Sequence, residues 1–322
     1  MIWIQFVICA IVIIFAGDKL SRHADLIAER SSLGGLWVGS VLLAAATSLP
    51  ELATSVSSSM MNIPDIAVGN VFGSNIFNLA IIFIMDLVYR QGSTLHVAEH
   101  GHIVSAFLGL VLSAIAVLSI VTQTHPQVWG VGLETIVIAG VYILGLRYMH
   151  NKVEGQPEPT QDRVETSLGP TYLKFAIAAA FIVVAGVGLS NSADQIAELT
   201  GLGRTFIGSL LVAFTTSLPE LVASITAVRI GAINLAFGNI LGSNIFNMII
   251  LLAADIAYTG SPILAVVEPV HAITALFGFI MSLLVIIGLT FRSERLRFLG
   301  MNPISWALFL AYLTGSYALY IQ

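Results

Sequence analysis

Charge is what this sequence has least of. Only 10% of its 322 residues are Asp, Glu, Lys or Arg, against about 25% in soluble globular domains, which excludes an ordinary water-soluble domain. Cysteine is limited to Cys9, so no disulfide framework and no cysteine-built zinc site can form within one chain. No Gly-rich phosphate loop ending in Lys-Ser or Lys-Thr occurs, which argues against ATP hydrolysis and leaves an ion gradient as the driving force for any transport. The segment after Met1 lacks the basic start and small-residue cleavage site of a secretory signal, so it reads as a mature helix. The formal net charge of -5 says little about partners, and nothing in the chain points to nucleic acid.

What is present is apolar. Hydrophobic residues make up 57% of the chain and the mean hydropathy is +0.93. A helix crossing a hydrocarbon core needs roughly 20 apolar residues. Ten such runs lie near 2–17, 35–60, 64–88, 102–122, 127–148, 171–191, 203–230, 233–257, 268–290 and 301–321. The expected fold is an all-α integral membrane protein of ten transmembrane helices. The one long polar stretch, 149–170, reads as a flexible cytoplasmic linker between 1–148 and 171–322. Twelve of the 13 Lys and Arg residues follow odd-numbered helices, and only Arg204 lies on the other side. The positive-inside rule then places both termini on the non-cytoplasmic side of a multi-pass cell membrane protein, in contact with the lipid bilayer.

The chain repeats itself. Aligning 17–92 with 186–261 at a constant offset of 169 gives 33 identical pairs in 76, with Asp25, Glu29, Asp86 and Tyr89 falling on Asp194, Glu198, Asp255 and Tyr258. Each half holds five expected helices, an odd number, so the second must enter the membrane from the opposite face. Inverted five-helix repeats of this kind suit secondary transporters, whose substrate site lies near the midplane.

The strongest matches carry the chemistry. Thr47-Ser48-Leu49-Pro50-Glu51 recurs as Thr216-Ser217-Leu218-Pro219-Glu220, and Gly73-Ser74-Asn75-Ile76-Phe77-Asn78 as Gly242-Ser243-Asn244-Ile245-Phe246-Asn247. A proline within a helix has no N–H for the carbonyl four residues back, so Pro50 and Pro219 should break their helices and free the carbonyls near Ala46 and Thr215. Such groups are tolerated in a membrane where they line a cavity or find another partner. Together with the hydroxyls of Thr47, Ser48, Thr216 and Ser217 and the carboxylates of Glu51 and Glu220 they form a set of hard oxygen ligands suited to sodium or calcium. On the next helix Asn70, Ser74 and Asn78, and their mates Asn239, Ser243 and Asn247, form one polar stripe per repeat. Gly69, Gly73, Gly238 and Gly242 are spaced for close backbone approach. A charge at a helix centre costs about 2.5–3.5 kcal/mol even on mild insertion scales, so two acids at equivalent depth need protons or metal cations to neutralise them. Competition between the two predicts inhibition at low pH. Hydroxyls or GxxxG spacings taken singly are usually packing features; their joint duplication at one offset argues for function.

At these residues the sequence resembles the sodium/calcium exchanger family of the cation/calcium antiporter superfamily, prokaryotic type, over essentially its full length. The resemblance implies antiport by alternating access, with the first and sixth helices sliding across a fixed core. It also implies that Glu51 and Glu220 are central ligands to calcium shared with sodium. Thr47, Ser48, Thr216 and Ser217 would complete the shell, Ser74 and Ser243 would serve flanking sodium sites, and Asn78 and Asn247 would hold the remaining corners. Family members tend to carry an aspartate where this chain has Asn247, which lowers the formal charge of the centre from -3 to -2 and bears on calcium affinity, stoichiometry and electrogenicity. No cofactor is expected; the transported ions are Ca2+ and Na+. The alternative is a proton-coupled or monovalent cation exchanger using the same site, with H+ among its ions.

Other residues carry less. Glu99/His102 and Glu268/His271 recur at helix starts and suit helix-end hydrogen bonding, with pH sensing as the sharper reading. Asp86 and Asp255 read as solvated helix ends in preference to ion guides, and Asp25 and Asp194 as loop or cap residues. His23, His100, His125 and His150 have no repeat counterparts and no assigned role. An intramembrane enzyme is disfavoured because no catalytic pair or His-Glu-x-x-His motif sits at midspan; a passive channel is distinguished by the absence of counter-transport. Oligomeric state leaves no mark on the sequence.

Overall fold

In hydrocarbon each backbone N–H and C=O must be satisfied inside its own segment, and the apolar runs accordingly fold as helices. The structure, a computed structural model, describes residues 2–31, 34–154, 168–200, 212–291 and 301–320. Its principal helices are α1 (Ile2–Arg30), α2 (Gly34–Thr47), α3 (Leu49–Met60), α4 (Pro64–Val88), α5 (His102–Thr122) and α6 (Leu133–Glu154), followed by α7 (Gly169–Thr200), α8 (Leu218–Arg229), α9 (Ile233–Ala257), α10 (Val270–Thr290) and α11 (Pro303–Tyr320). Among the described residues seven helices are long and apolar enough to cross a membrane, or eight if α2 and α3, bent by 43° at their junction, form one broken span. The opening of the expected seventh run at 203–211, linker residues 155–167, and Arg204, Arg163, Arg292, Arg295 and Arg297 lie outside the described residues, as do the side chains of Lys152, Asp194 and Glu198.

Several expected boundaries move. The first helix, expected to stop at 17, continues to Arg30 because its charged extension is amphipathic. Leu20, Ala24 and Ile27 are buried, while Asp18 and Arg22 pair across one turn on the outer face at 3.0 Å. The sixth helix likewise runs on to Thr200, so Asp25 and the backbone of Asp194 are in helices and not in loops. The fifth starts at Leu133, not 127. Gln127–Val128 and Val131–Gly132 pair as a small antiparallel hairpin, turned by Trp129 and Gly130 with φ of 54° and 86°, the doubly positive geometry that tight hairpins favour. Helix α6 also extends to Glu154, into the stretch expected as linker.

Elements recur at the offset read from the sequence. Leu49–Met60 maps onto Leu218–Arg229 and Pro64–Val88 onto Ile233–Ala257. Helices related in this way pack on one another: α1 against α7, α4 against α9, α5 against α10. The α4–α9 pair forms the centre, with 83% and 67% of their spanning windows buried, against 11% for α1. Gly238 and Gly242 of α9 lie against the backbone of 36–40 in α2; a Cβ on Gly238 would stand 2.9 Å from the Gly39 Cα. That part of α2, Val38–Leu43, is wound as a π-helix. Such local widening recurs at functional sites.

Candidate functional site

Both expected breaks are present and nearly superimposable in conformation. Ser48 has φ -87° and ψ 6°, and Ser217 φ -87° and ψ 7°. Pro50 and Pro219 sit in the first turn of the helices that follow, where a missing N–H costs nothing, and Glu51 and Glu220 occupy the same turns. A carboxylate near a helix N-terminus is favoured by the helix dipole. Ser48 and Ser217 stand at helix-capping positions but make no side-chain cap; their hydroxyls are used elsewhere.

They are used across the repeat boundary. Ser48 Oγ donates to Glu220 Oε1 at 2.8 Å, and Ser217 Oγ donates to Glu51 Oε1 at 2.9 Å. Each carboxylate receives a second hydroxyl from its own repeat, Ser74 to Glu51 at 3.4 Å and Ser243 to Glu220 at 3.2 Å. The threonines cross over as well: Thr47 Oγ1 donates to Asn239 Oδ1 at 3.2 Å, and Thr216 Oγ1 to Asn70 Oδ1 at 3.0 Å. Asn70 in turn donates to the Glu51 carbonyl and to Ser55, and Asn239 to the Glu220 carbonyl and to Ser224. Both glutamates, together with Thr47, Ser48, Ser74, Asn78, Thr216, Ser217, Ser243 and Asn247, are fully buried. All ten candidate residues thus lie at the two helix breaks, 47–51 and 216–220, or on α4 and α9. Asn70 and Asn239 belong to the network although the candidate set omitted them; their repetition at the offset was the signal.

The network leaves specific oxygens over. Among the described residues Glu51 Oε2, Glu220 Oε2, Asn78 Oδ1 and Asn247 Oδ1 are buried without a hydrogen-bond partner. Orphaned buried acceptors are expensive, and these four are the corners that the resemblance assigned to the central ion; Asn244 Oδ1 and the donor Asn78 Nδ2 are also buried without a partner. Asn247 is held through its amide: Nδ2 donates to Asn75 Oδ1 at 3.1 Å, while Asn75 Nδ2 contacts Met248 Sδ at 3.3 Å and Asn244 Nδ2 donates to the Asn75 carbonyl. An aspartate could not make the first of these bonds, having no donor when ionised. Asn75 was quoted only as part of a motif.

The secondary candidates resolve differently. Asp86 and Asp255 are not solvated helix ends but buried acceptors, 3% and 1% exposed. Asp86 receives the Thr94 N–H and hydroxyl, each at 2.6 Å, and the hydroxyls of Ser93 and Ser305. Asp255 receives the Ile263 and Gly132 N–H groups and the Thr135 hydroxyl. Each tether spans eight residues along the chain and also reaches the first turn of the last helix in the other half. Burial replaced water here because the flanking loops fold back over the helix ends. The Glu99/His102 and Glu268/His271 pairs do serve helix ends, unequally: His271 Nε2 lies 3.1 Å from Asp65 Oδ1, which also accepts the Glu268 N–H. In the other half Asn234 replaces that acid and exchanges two hydrogen bonds with Glu99. His125, assigned nothing from sequence, pairs with Glu134 at 2.8 Å.

A many-helix membrane chain whose centre is a two-fold set of buried acids, hydroxyls and amides has the architecture of an ion transporter. The profile of the sodium/calcium exchanger protein family matches residues 1–148 and 171–321. Among curated relatives, the sodium/calcium exchanger MaX1 of Methanosarcina acetivorans is 26% identical over 288 residues, covering 78% of this chain and 82% of that protein. The inner membrane protein YrbG of Escherichia coli K12 is 26% identical over 249 residues, 75% of each. The fold matches the solved structure of the sodium-calcium exchanger NCX_Mj soaked with 10 mM Na+ and zero Ca2+, with a TM-score of 0.76, 23% identity and 98% of both chains covered. The chain belongs to the sodium/calcium exchanger family. It is a membrane cation antiporter, and its relatives are transporters, not enzymes.

Proposed function

We propose that the protein exchanges sodium for calcium by alternating access around a midplane site built from Glu51 and Glu220. The chain would cross the cell membrane ten times as two inverted five-helix repeats, 1–148 and 171–322, joined by the cytoplasmic linker 149–170, with both termini on the non-cytoplasmic side. The observation that carries this reading is the quartet of buried, unpartnered oxygens on Glu51, Glu220, Asn78 and Asn247, set among hydroxyls that already hold the other carboxylate oxygens in place. Two carboxylates and two amide oxygens are hard ligands that offset one calcium or two sodium ions. Thr47, Ser48, Thr216 and Ser217 complete the shell, and Ser74 and Ser243 flank it. Helices α1 and α7 are the sliding pair.

Asn247 favours a second reading, in which the same site exchanges monovalent cations or couples to protons, because a centre of charge -2 compensates a full sodium load less well. The deciding experiment is calcium uptake into inside-out vesicles under an imposed sodium gradient or an imposed proton gradient. Uptake driven by sodium supports the first reading and uptake driven only by protons the second. If calcium moves under neither gradient, the calcium assignment fails.

A further inference from the structure

A groove of about 450 Å³ between α1 and α7 lies apart from the exchange network. Its walls are apolar: Ile11 and Phe15 on α1 face Ile177 and Phe181 on α7, and all four are open to the surroundings at 47%, 70%, 49% and 58% exposure. Polarity enters at one end alone, where Lys19 and His23 of α1 meet Lys174 of α7. The α1 residues that line it fall on one helical face, since 11, 15, 19 and 23 are each four apart.

The cations at that end are not consumed by the fold. Among the described residues neither lysine has a hydrogen bond or ion pair, and the adjacent acid, Asp18, is engaged by Arg22 at 3.0 Å and by Thr226 at 3.4 Å. His23 Nδ1 is buried without a partner. The height of the cluster also fits a headgroup. Helix α1 has 29 residues, about 43 Å at 1.5 Å per residue, which exceeds a hydrocarbon core of about 30 Å. Lys19 lies about 26 Å along it, near the level where the core gives way to phosphates.

We propose that this groove binds an anionic phospholipid of the bilayer, with an acyl chain between Phe15 and Phe181 and the phosphate accepting from Lys19, His23 and Lys174. A trough open sideways to hydrocarbon and closed at one end by positive charge complements an amphiphilic anion, whereas a soluble phosphate gains nothing from the apolar length. On the orientation proposed above this end faces the cytoplasmic leaflet, where anionic lipids concentrate; the binding itself does not depend on that orientation. The site joins the two helices whose glycines touch the helices after the breaks, Gly17 against Val222 of α8 and Gly186 against Pro50 of α3, so its occupant bears on the pair assigned to move.

The test uses the purified full chain in detergent, with native mass spectrometry of retained lipid after addition of phosphatidylglycerol or phosphatidylcholine and no transported ion. Wild type should retain one phosphatidylglycerol about tenfold better than phosphatidylcholine. Lys19→Gln with Lys174→Gln should erase that preference, and Arg22→Gln, off the groove, should keep it. Ala178→Trp, which fills the groove, should lower retention of both lipids and tests the site independently should the lysine variant fail to fold. Equal retention of the two lipids by wild type, an unchanged preference in the lysine variant, or displacement by inorganic phosphate would each overturn the proposal. Because no ion is present, these outcomes are separate from those of the exchange assay.

Discussion

The membrane-spanning windows of helices α4 and α1 have equal mean hydropathy, yet 83% of one is buried and 11% of the other. The difference lies in what the apolar residues are interleaved with. Helix α4 carries Asn70, Ser74, Asn75 and Asn78 among its apolar residues, all buried and, except Asn78, hydrogen bonded to other elements. Helix α1 has no such stripe over its first sixteen residues, and Ile4, Ile8 and Phe15 face outward. In lipid, burying apolar surface gives no hydrophobic gain, so small and polar residues decide which helices go inside. The centre is held by close backbones and by hydrogen-bonded polar groups that surround the unpartnered oxygens, the periphery by contact with lipid.

The comparison can be broken most severely at the centre. Glu51→Gln or Glu220→Gln is expected to reduce sodium-driven calcium flux to background; flux at the wild-type rate in both would remove the site. Next come the buried aspartates. Replacing Asp86 or Asp255 with Asn forfeits charge-assisted bonds from three or more donors, each worth about 1.5–3 kcal/mol, and should cost about 3 kcal/mol or more, read as a lower thermal midpoint in detergent. A solvated helix end would lose almost nothing. Where periphery meets centre, Gly186 runs over Pro50 so closely that a Cβ would stand 2.5 Å from the proline Cγ. Gly186→Leu should cost about 1–3 kcal/mol in overpacking and slow exchange more than it weakens equilibrium calcium binding.

Smaller effects sharpen the picture. Asn247→Asp adds a charge to the centre and should strengthen divalent binding by isothermal titration. The gain is limited because Asn75, which now accepts from Asn247, must turn its amide over and give up its Met248 contact. Pairing the change with Asn75→Ala should remove that limit. At the far end of the scale, Ile8→Val on the outer face of α1 should shift stability by less than about 0.5 kcal/mol. A larger change there would mean that this face is covered by something other than lipid.

How much was legible varied with how local the cause was. The breaks at Ser48 and Ser217 follow from Pro50 and Pro219 acting on their own turns. The polar stripe on α4 follows from a four-residue spacing, and both were readable. The identity of the partners was not: nothing in the spacing of Ser48 says that its hydroxyl serves Glu220, 172 positions away, in place of capping its own helix. Asp86 and Asp255 were misread for a related reason. They end helices in sequence but are covered in space by Thr94, Ser305, Thr135 and Ile263, of which Ser305 and Thr135 come from the other half of the chain.

By itself, then, the sequence determined the membrane-spanning helical class, the duplication at 169 residues and the residue types of the centre, because hydropathy, periodicity and repetition are properties of the chain. The tertiary structure alone decided which hydroxyl meets which carboxylate, which oxygens are left without partners, and where two lysines and a histidine gather beside an apolar groove. Those outcomes depend on the packing of helices far apart in the chain, and a distance through space is not recorded in the order of residues along it.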